Sequence, residues 1–366
     1  MPRMRTRFLM LAGAAMLLGN VAPAAAQETA GVPPPAEAGW TVPKTEWGDP
    51  DLRGMYPLDQ VGRTPMQRRP QYGNRLLMTD EEYTEALRSA EEVEAGADRE
   101  DANNQLGSGN WFEYGTALRQ TALVVEPAET GRIPDLTEEG KRRQKDMKSS
   151  WNGQVFEGLG DFNSLDRCIT RGMPATMVPF PYNNGVRIFQ SPGWVVINHE
   201  MIHEQRFIPL DGRPQLADGI RSWLGSSRGR WQGDTLVVET TNFNGLSPMV
   251  IVGPSNGTSG IPTSTSMKIV ERFTPFGEGK LYYEAWIEDP EIISGPFKIG
   301  YPWIANNAYE PFEYACHEGN TLVIANIRST SPRFAQWREQ NFQATPEGTP
   351  EQVRREEEEG GSGGER

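Results

Sequence analysis

The sequence predicts a mainly β protein, an antiparallel β-barrel or sandwich, preceded by an N-terminal loop-and-helix region. Three observations carry this. Between residues 165 and 330 lie seven short β-branched or aromatic runs, broken by Gly, Pro and Asn. No long helical pattern separates them, which disfavours parallel βαβ units and favours antiparallel neighbours. Gly 39 and Pro 29 in 366 residues supply more turns than a helical bundle uses. The barrel is preferred over the sandwich because closure removes exposed edges and its lumen offers a ligand cavity.

In chain order, residues 1–26 read as a signal peptide. Arg3, Arg5 and Arg7 precede an apolar run of 11 residues, FLMLAGAAMLL, and Ala24-Ala25-Ala26 offers small residues for cleavage after Ala26. The run is too short to span a bilayer. Residues 27–47, rich in Pro, Ala and Glu, are expected to be a flexible leader. Residues 48–150 are loop-rich with two short helices. Thr79-Asp80-Glu81-Glu82 is a capping box, and Thr137-Glu138-Glu139 opens the second helix.

Residues 151–345 form the expected antiparallel β domain. Strands are predicted at 186–190, 194–198, 205–210, 234–241, 267–274, 280–288 and 321–327. Leu281, Tyr283, Ala285 and Ile287 alternate with Tyr282, Glu284, Trp286 and Glu288, the period of a half-buried strand. Residues 346–366 run into EEEEGGSGGER, which has nothing to bury and is expected to be a disordered acidic tail.

The net charge of −13 excludes a generic nucleic-acid binder, which needs a basic face. No later stretch is apolar enough to span a membrane, so export leads to the periplasm or the exterior. In that oxidising setting the two cysteines, Cys168 and Cys316, are expected to bridge.

Two catalytic motifs stand in the wrong context. His199-Glu200-Met201-Ile202-His203 is a literal H-E-x-x-H, but zincins need it on a helix, where both imidazoles reach one metal. Here Trp194-Val195-Val196-Ile197 before it is β-forming. Gly225-Ser226-Ser227-Arg228-Gly229 is a literal G-x-S-x-G, yet a strand rather than a helix follows.

A third constellation remains. His203 has Glu200, Glu204 and Arg206 around it, and His317 has Glu318 beside it. His203 is the candidate acid–base group, Glu200 or Glu204 its orienter, and Arg206 an anion clamp, with His317 and Glu318 a second pair. Strict alternation puts His203 on the opposite face from the other three, so the scheme needs a bulge. Glu271 shares a face with Met267, Ile269 and Phe273 and is expected to be a buried acid.

Several strings together resemble a large family of secreted bacterial proteins of unknown function. They are Arg167-Cys168 with Gly172 and Pro174; Leu210-Asp211-Gly212-Arg213-Pro214; residues 229–243, GRWQGDTLVVETTNF; and Tyr314-Ala315-Cys316-His317-Glu318-Gly319-Asn320. The likeness implies no particular reaction. Asp51-Leu52-Arg53-Gly54-Met55-Tyr56 is similar to the family's opening DLxGxW and implies a lipocalin-like start.

The function expected is a cofactor-independent acid–base enzyme, a lyase, isomerase or hydrolase, acting on a small molecule in the barrel cavity. The alternatives are a non-catalytic carrier of an apolar or aromatic ligand, a zinc hydrolase using His199 and His203, and a divalent ion held by His203, His317 and a Glu. No nucleic-acid partner and no membrane span are expected.

Overall fold

The computed structural model describes residues 31–102, 112–149, 155–250, 260–320, 325 and 329–341. Strands in chain order are β1 (Gly54–Pro57), β2 (Val124–Glu126), β3 (Gly185–Ser191), β4 (Trp194–His199), β5 (Gln205–Pro209), β6 (Ser226–Gln232), β7 (Thr235–Thr241), β8 (Lys268–Gly277), β9 (Lys280–Glu288) and β10 (Phe297–Ile304). Helices are α1 (Asp80–Ala102), α2 (Glu138–Asp146) and α3 (Pro332–Asn341). The signal peptide and the acidic tail lie outside the described residues, as does nearly all of the strand expected at 321–327.

Both helix starts follow their sequence signals. At α1 the Thr79 N–H donates to Glu82 at 2.8 Å and the Glu82 N–H to Thr79 Oγ1 at 3.2 Å, a reciprocal capping box. At α2 the Gly140 N–H donates to Thr137 Oγ1 at 3.0 Å.

The strands form two antiparallel sheets, β1-β3-β4-β5 and β2-β10-β9-β8-β7-β6. They do not close into a barrel. β5 runs beside β6 and β1 beside β10, but no ladder joins either pair, so the architecture is a sandwich. The space between the sheets is filled by rings. Phe273, Tyr283, Tyr301 and Trp303 are fully buried, with centroids 5.1 to 6.5 Å apart. Aliphatic residues from both sheets, among them Ile188, Ile197, Ile208, Val238 and Ile269, complete the packing. The expected barrel lumen is therefore packed core.

Strand β9 departs from simple alternation. Tyr282 and Glu284 are buried as well as Leu281 and Tyr283. The cause is residues 31–47. The Gly31 N–H donates to Tyr282 Oη at 3.1 Å, Lys298 Nζ donates to the Gly31 carbonyl at 2.7 Å, and the Glu37 N–H to the Phe276 carbonyl at 3.0 Å. This segment covers the outer face of the larger sheet.

β6 and β10 carry weak sequence signals. Ser226–Gln232 is polar and holds Gly229, whose missing side chain leaves room for Ile208 and Leu210. β10 contains Pro302, which pairs with Tyr282 of β9. β2 reaches only Lys298 and Ile299 on the other side, so the absent N–H of Pro302 breaks no ladder bond there.

The segment bearing H-E-x-x-H is strand, turn, strand. His199 ends β4, Met201–His203 make one 3₁₀ turn, and β5 begins at Gln205. The turn places Ile202 at φ 60° and His203 at φ 54°, both in the left-handed region. Strict alternation therefore does not run from 199 to 206. Ser227 of the G-x-S-x-G string lies buried inside β6, with its hydroxyl 2.9 Å from Thr240 Oγ1 and no elbow around it.

Candidate functional site

Cys168 and Cys316 are bridged, with Cα atoms 5.8 Å apart and 148 positions of sequence between them. The bridge pins the segment after β10 onto the loop before β3. Asn306 and Asn307 pin the same segment at its start: the Asn306 N–H donates to the Met55 carbonyl at 2.8 Å, and the Met55 N–H to Asn307 Oδ1 at 3.1 Å. The chain between these anchors carries Tyr309 and Phe312.

The six residues singled out by sequence separate into two places. His203, His317 and Glu318 line one surface pocket of about 240 Å³ over the disulfide, together with Glu313 and Tyr314. Glu200, Glu204 and Arg206 point away from it. Glu204 accepts from Thr176 Oγ1 at 3.3 Å, and burial pushes its carboxyl pKa up. Arg206 turns into the core and donates to Glu271 from both Nη1 and Nη2, at 2.9 and 2.5 Å. Glu271 is the buried acid expected from its face, and its charge is met by this pair and by the Tyr283 hydroxyl at 3.1 Å. Arg206 is thus buried in the sandwich, paired with Glu271.

Glu200 leads to a second and larger cavity. Its Oε1 accepts from Asn183 Nδ2 at 3.0 Å and the Phe312 N–H at 2.5 Å; its Oε2 accepts from the Gly185 N–H at 2.8 Å and the Tyr309 hydroxyl at 2.6 Å. The same Tyr309 hydroxyl lies 2.7 Å from Glu113 Oε1. Glu113 Oε2 accepts from both Asn184 N at 3.0 Å and Asn184 Nδ2 at 2.7 Å. One turn, Asn183-Asn184-Gly185, therefore holds both carboxyls, and one phenol joins them.

The proton count of this array is informative. A phenol carries one proton, and two contacts of 2.6 and 2.7 Å cannot both use it. The second short contact needs a proton from a carboxyl. Burial pushes the Glu113 pKa up, against hydrogen bonds from Tyr309 and Asn184, so Glu113 is the group suited to hold it. Burial beside these two carboxyls keeps the phenol of Tyr309 protonated, far above its ordinary range.

Glu113 and Tyr309 open onto a cleft of about 560 Å³, a size that takes a small organic molecule. Asp59, Glu94, Asp98 and Glu310 share its wall, with Phe112, Tyr114 and Phe312 as aromatic faces; among the described residues no Lys or Arg lines it. Asp59 also has its pKa pushed up, mainly by burial. Two carboxyls with raised pKa in one cleft are the pattern of an acid–base site.

Sequence reasoning missed Glu113 and Tyr309. The available signal was Trp111-Phe112-Glu113-Tyr114, an acid among three aromatics in an otherwise polar region. Among the described residues no group of three His, Cys, Asp or Glu is placed to hold a metal ion. His199 sits buried at the end of β4, apart from His203 across the turn, so the two do not have the helical i, i+4 relation of a zincin. No family model matches the chain, and neither a curated protein nor a solved structure matches it.

Proposed function

We propose that the protein is an exported acid–base enzyme acting on a small organic molecule of cationic or neutral polar character in the Glu113–Tyr309 cleft. The single observation that carries this is the phenol of Tyr309 set between Glu113 and Glu200, at 2.7 and 2.6 Å. Glu113 gives its proton to the substrate. The phenol then turns its own proton from Glu200 to Glu113. Two neighbouring carboxylates with one proton between them favour taking a proton back, which returns the array to its starting state.

The acid-rich wall sets the substrate class. An anion is repelled from a cleft holding five carboxyls, whereas an ammonium group gains from both the carboxylates and the aromatic faces. The leader sequence and the Cys168–Cys316 bridge support export. Among the described residues no helix is long and apolar enough to cross a membrane.

The test is proton exchange, which reads the transfer step whatever the overall reaction. The mature protein is incubated in D₂O with a panel of small primary, secondary and quaternary amines and neutral polyols, and deuterium incorporation or product is followed by NMR. Wild type is expected to act on at least one member, and Glu113→Gln to lose that action with retained binding. The rival is a non-catalytic carrier of organic cations, which the aromatic faces of the cleft favour. Binding without exchange or turnover in wild type, weakened by Glu113→Gln, would establish the rival.

A further inference from the structure

The Asn183-Asn184-Gly185 turn that grips Glu113 and Glu200 on one side walls a separate cavity on its other side. That cavity is about 10 Å³ and internal: of the residues around it, His199, Arg171, Thr176 and Met201 are only 3, 6, 4 and 3 % exposed. Two of these side chains carry nitrogens with no hydrogen-bond partner among the described residues, His199 Nε2 and Arg171 Nε. Buried polar nitrogens without partners are strongly unfavourable, and both side chains border the same small space.

Among the described residues that line the space, the charged side chain is Arg171. Arg171 forms no ion pair among the described residues. It donates from Nη1 to the Val178 carbonyl at 3.2 Å and lies 4.5 Å over the Phe180 ring. Burial lowers its pKa to about 10, which leaves it charged at neutral pH. Arg206 adds a second cation nearby, but Glu271 already neutralises it. Glu204 lies within electrostatic reach of Arg171 but hydrogen-bonds Thr176, and the Glu200 and Glu113 carboxyls lie across the turn in hydrogen bonds of their own. His199 is neutral, its pKa held down to about 3 by burial and by Arg206 and Arg171. A neutral imidazole has one N–H to give, and among the described residues Nε2 has no partner.

A buried cation needs a counter-charge. The cavity has room for one water-sized particle and none for a polyatomic oxyanion. We propose that this cavity is a site for a single halide ion, chloride in the natural setting, held by Arg171 Nε and His199 Nε2 beneath the Asn183-Asn184-Gly185 turn. The ion then supports the turn from below. Asn183 has φ 53°, a left-handed conformation that its surroundings must hold in place. Halide occupancy is thereby coupled to the positions of Glu113 and Glu200, and chloride acts as a structural effector of the cleft. The halide site itself stands whether or not the cleft is catalytic.

Crystals grown in sodium bromide, measured at the bromine absorption edge, should show an anomalous peak in contact with Arg171 Nε and His199 Nε2. Replacing acetate by chloride at constant ionic strength should raise the melting temperature saturably, by about 3 °C. Arg171→Met should lose both the peak and the shift. If Arg171→Met does not fold, the wild-type bromide map decides. Water density with no anomalous signal at this position, while bromide is seen elsewhere on the protein, would overturn the proposal. So would equal melting in chloride and acetate.

Discussion

Arg206 of β5 and Glu271 of β8 meet across the sandwich, two hydrogen bonds joining side chains that are 2 and 0 % exposed. Each comes from a different sheet, so the pair fixes how β5 sits over β8. Glu271→Ala leaves an arginine charge buried and is expected to cost about 3–5 kcal/mol in urea unfolding. The double variant Arg206→Met with Glu271→Leu should recover most of that loss. A double variant as unstable as the single one would show that the surrounding Ser227, Thr240 and Tyr283 hydroxyls depend on the pair.

Tyr309→Phe removes the hydroxyl that joins Glu113 to Glu200. The expected cost is about 1–3 kcal/mol of stability, because buried acceptors lose their donor. Any exchange activity should fall roughly 10²-fold, since Glu113 loses its relay. Paired measurement of unfolding and of deuterium exchange separates the two effects; a stability loss with full activity would remove the phenol from the mechanism.

His199 supplies a pH dependence with a definite sign. Its pKa is lowered in the folded state to about 3 from an ordinary 6.5. The unfolded chain therefore binds the proton first as pH falls. The contribution is complete above pH 6.5 and is lost as pH falls from 6.5 towards 3, on the order of 5 kcal/mol at most. The buried acids Glu113, Glu204 and Asp59 act in the opposite direction, since their pKa values are raised. Comparing wild type with His199→Gln cancels them. The stability difference between the two proteins should move in favour of the variant across this window; a constant difference would mean that His199 titrates normally.

Cys168→Ser combined with Cys316→Ser opens a crosslink spanning 148 positions. Closing so long a loop is worth about 5 kcal/mol in chain entropy. Thermal unfolding measures that loss. Amide exchange of residues 306–316 should rise in the native state, because one of the two anchors of that segment is gone.

Much of the β domain was legible because burial on one face writes a period of two. β8 shows this by alternating along its whole length, whereas β9 is buried on both faces from Leu281 to Ala285, where residues 31–47 cover it. β6 and β10 were illegible because Ser226, Gly229, Gly300 and Pro302 are poor strand formers that tertiary pairing overrides. The choice between barrel and sandwich depends on whether β5 bonds to β6 and β1 to β10, and neither seam leaves a local pattern. The disulfide followed from counting. The cleft did not, since Glu113 and Tyr309 are 196 positions apart and meet through hydrogen bonds that no spacing announces. His203, His317 and Glu318 do share a pocket, whereas Arg206 faces inward because a turn at 201–203 resets the alternation.

The segment from Asn306 to Cys316 serves as the outer wall of the acid cleft and is clipped shut at its far end by a sulfur–sulfur link. With both thiols reduced, that wall is held only by the hydrogen bonds of Asn306, Asn307, Tyr309 and Phe312. The bridge thus makes the finished cleft sensitive to reduction of one sulfur–sulfur bond.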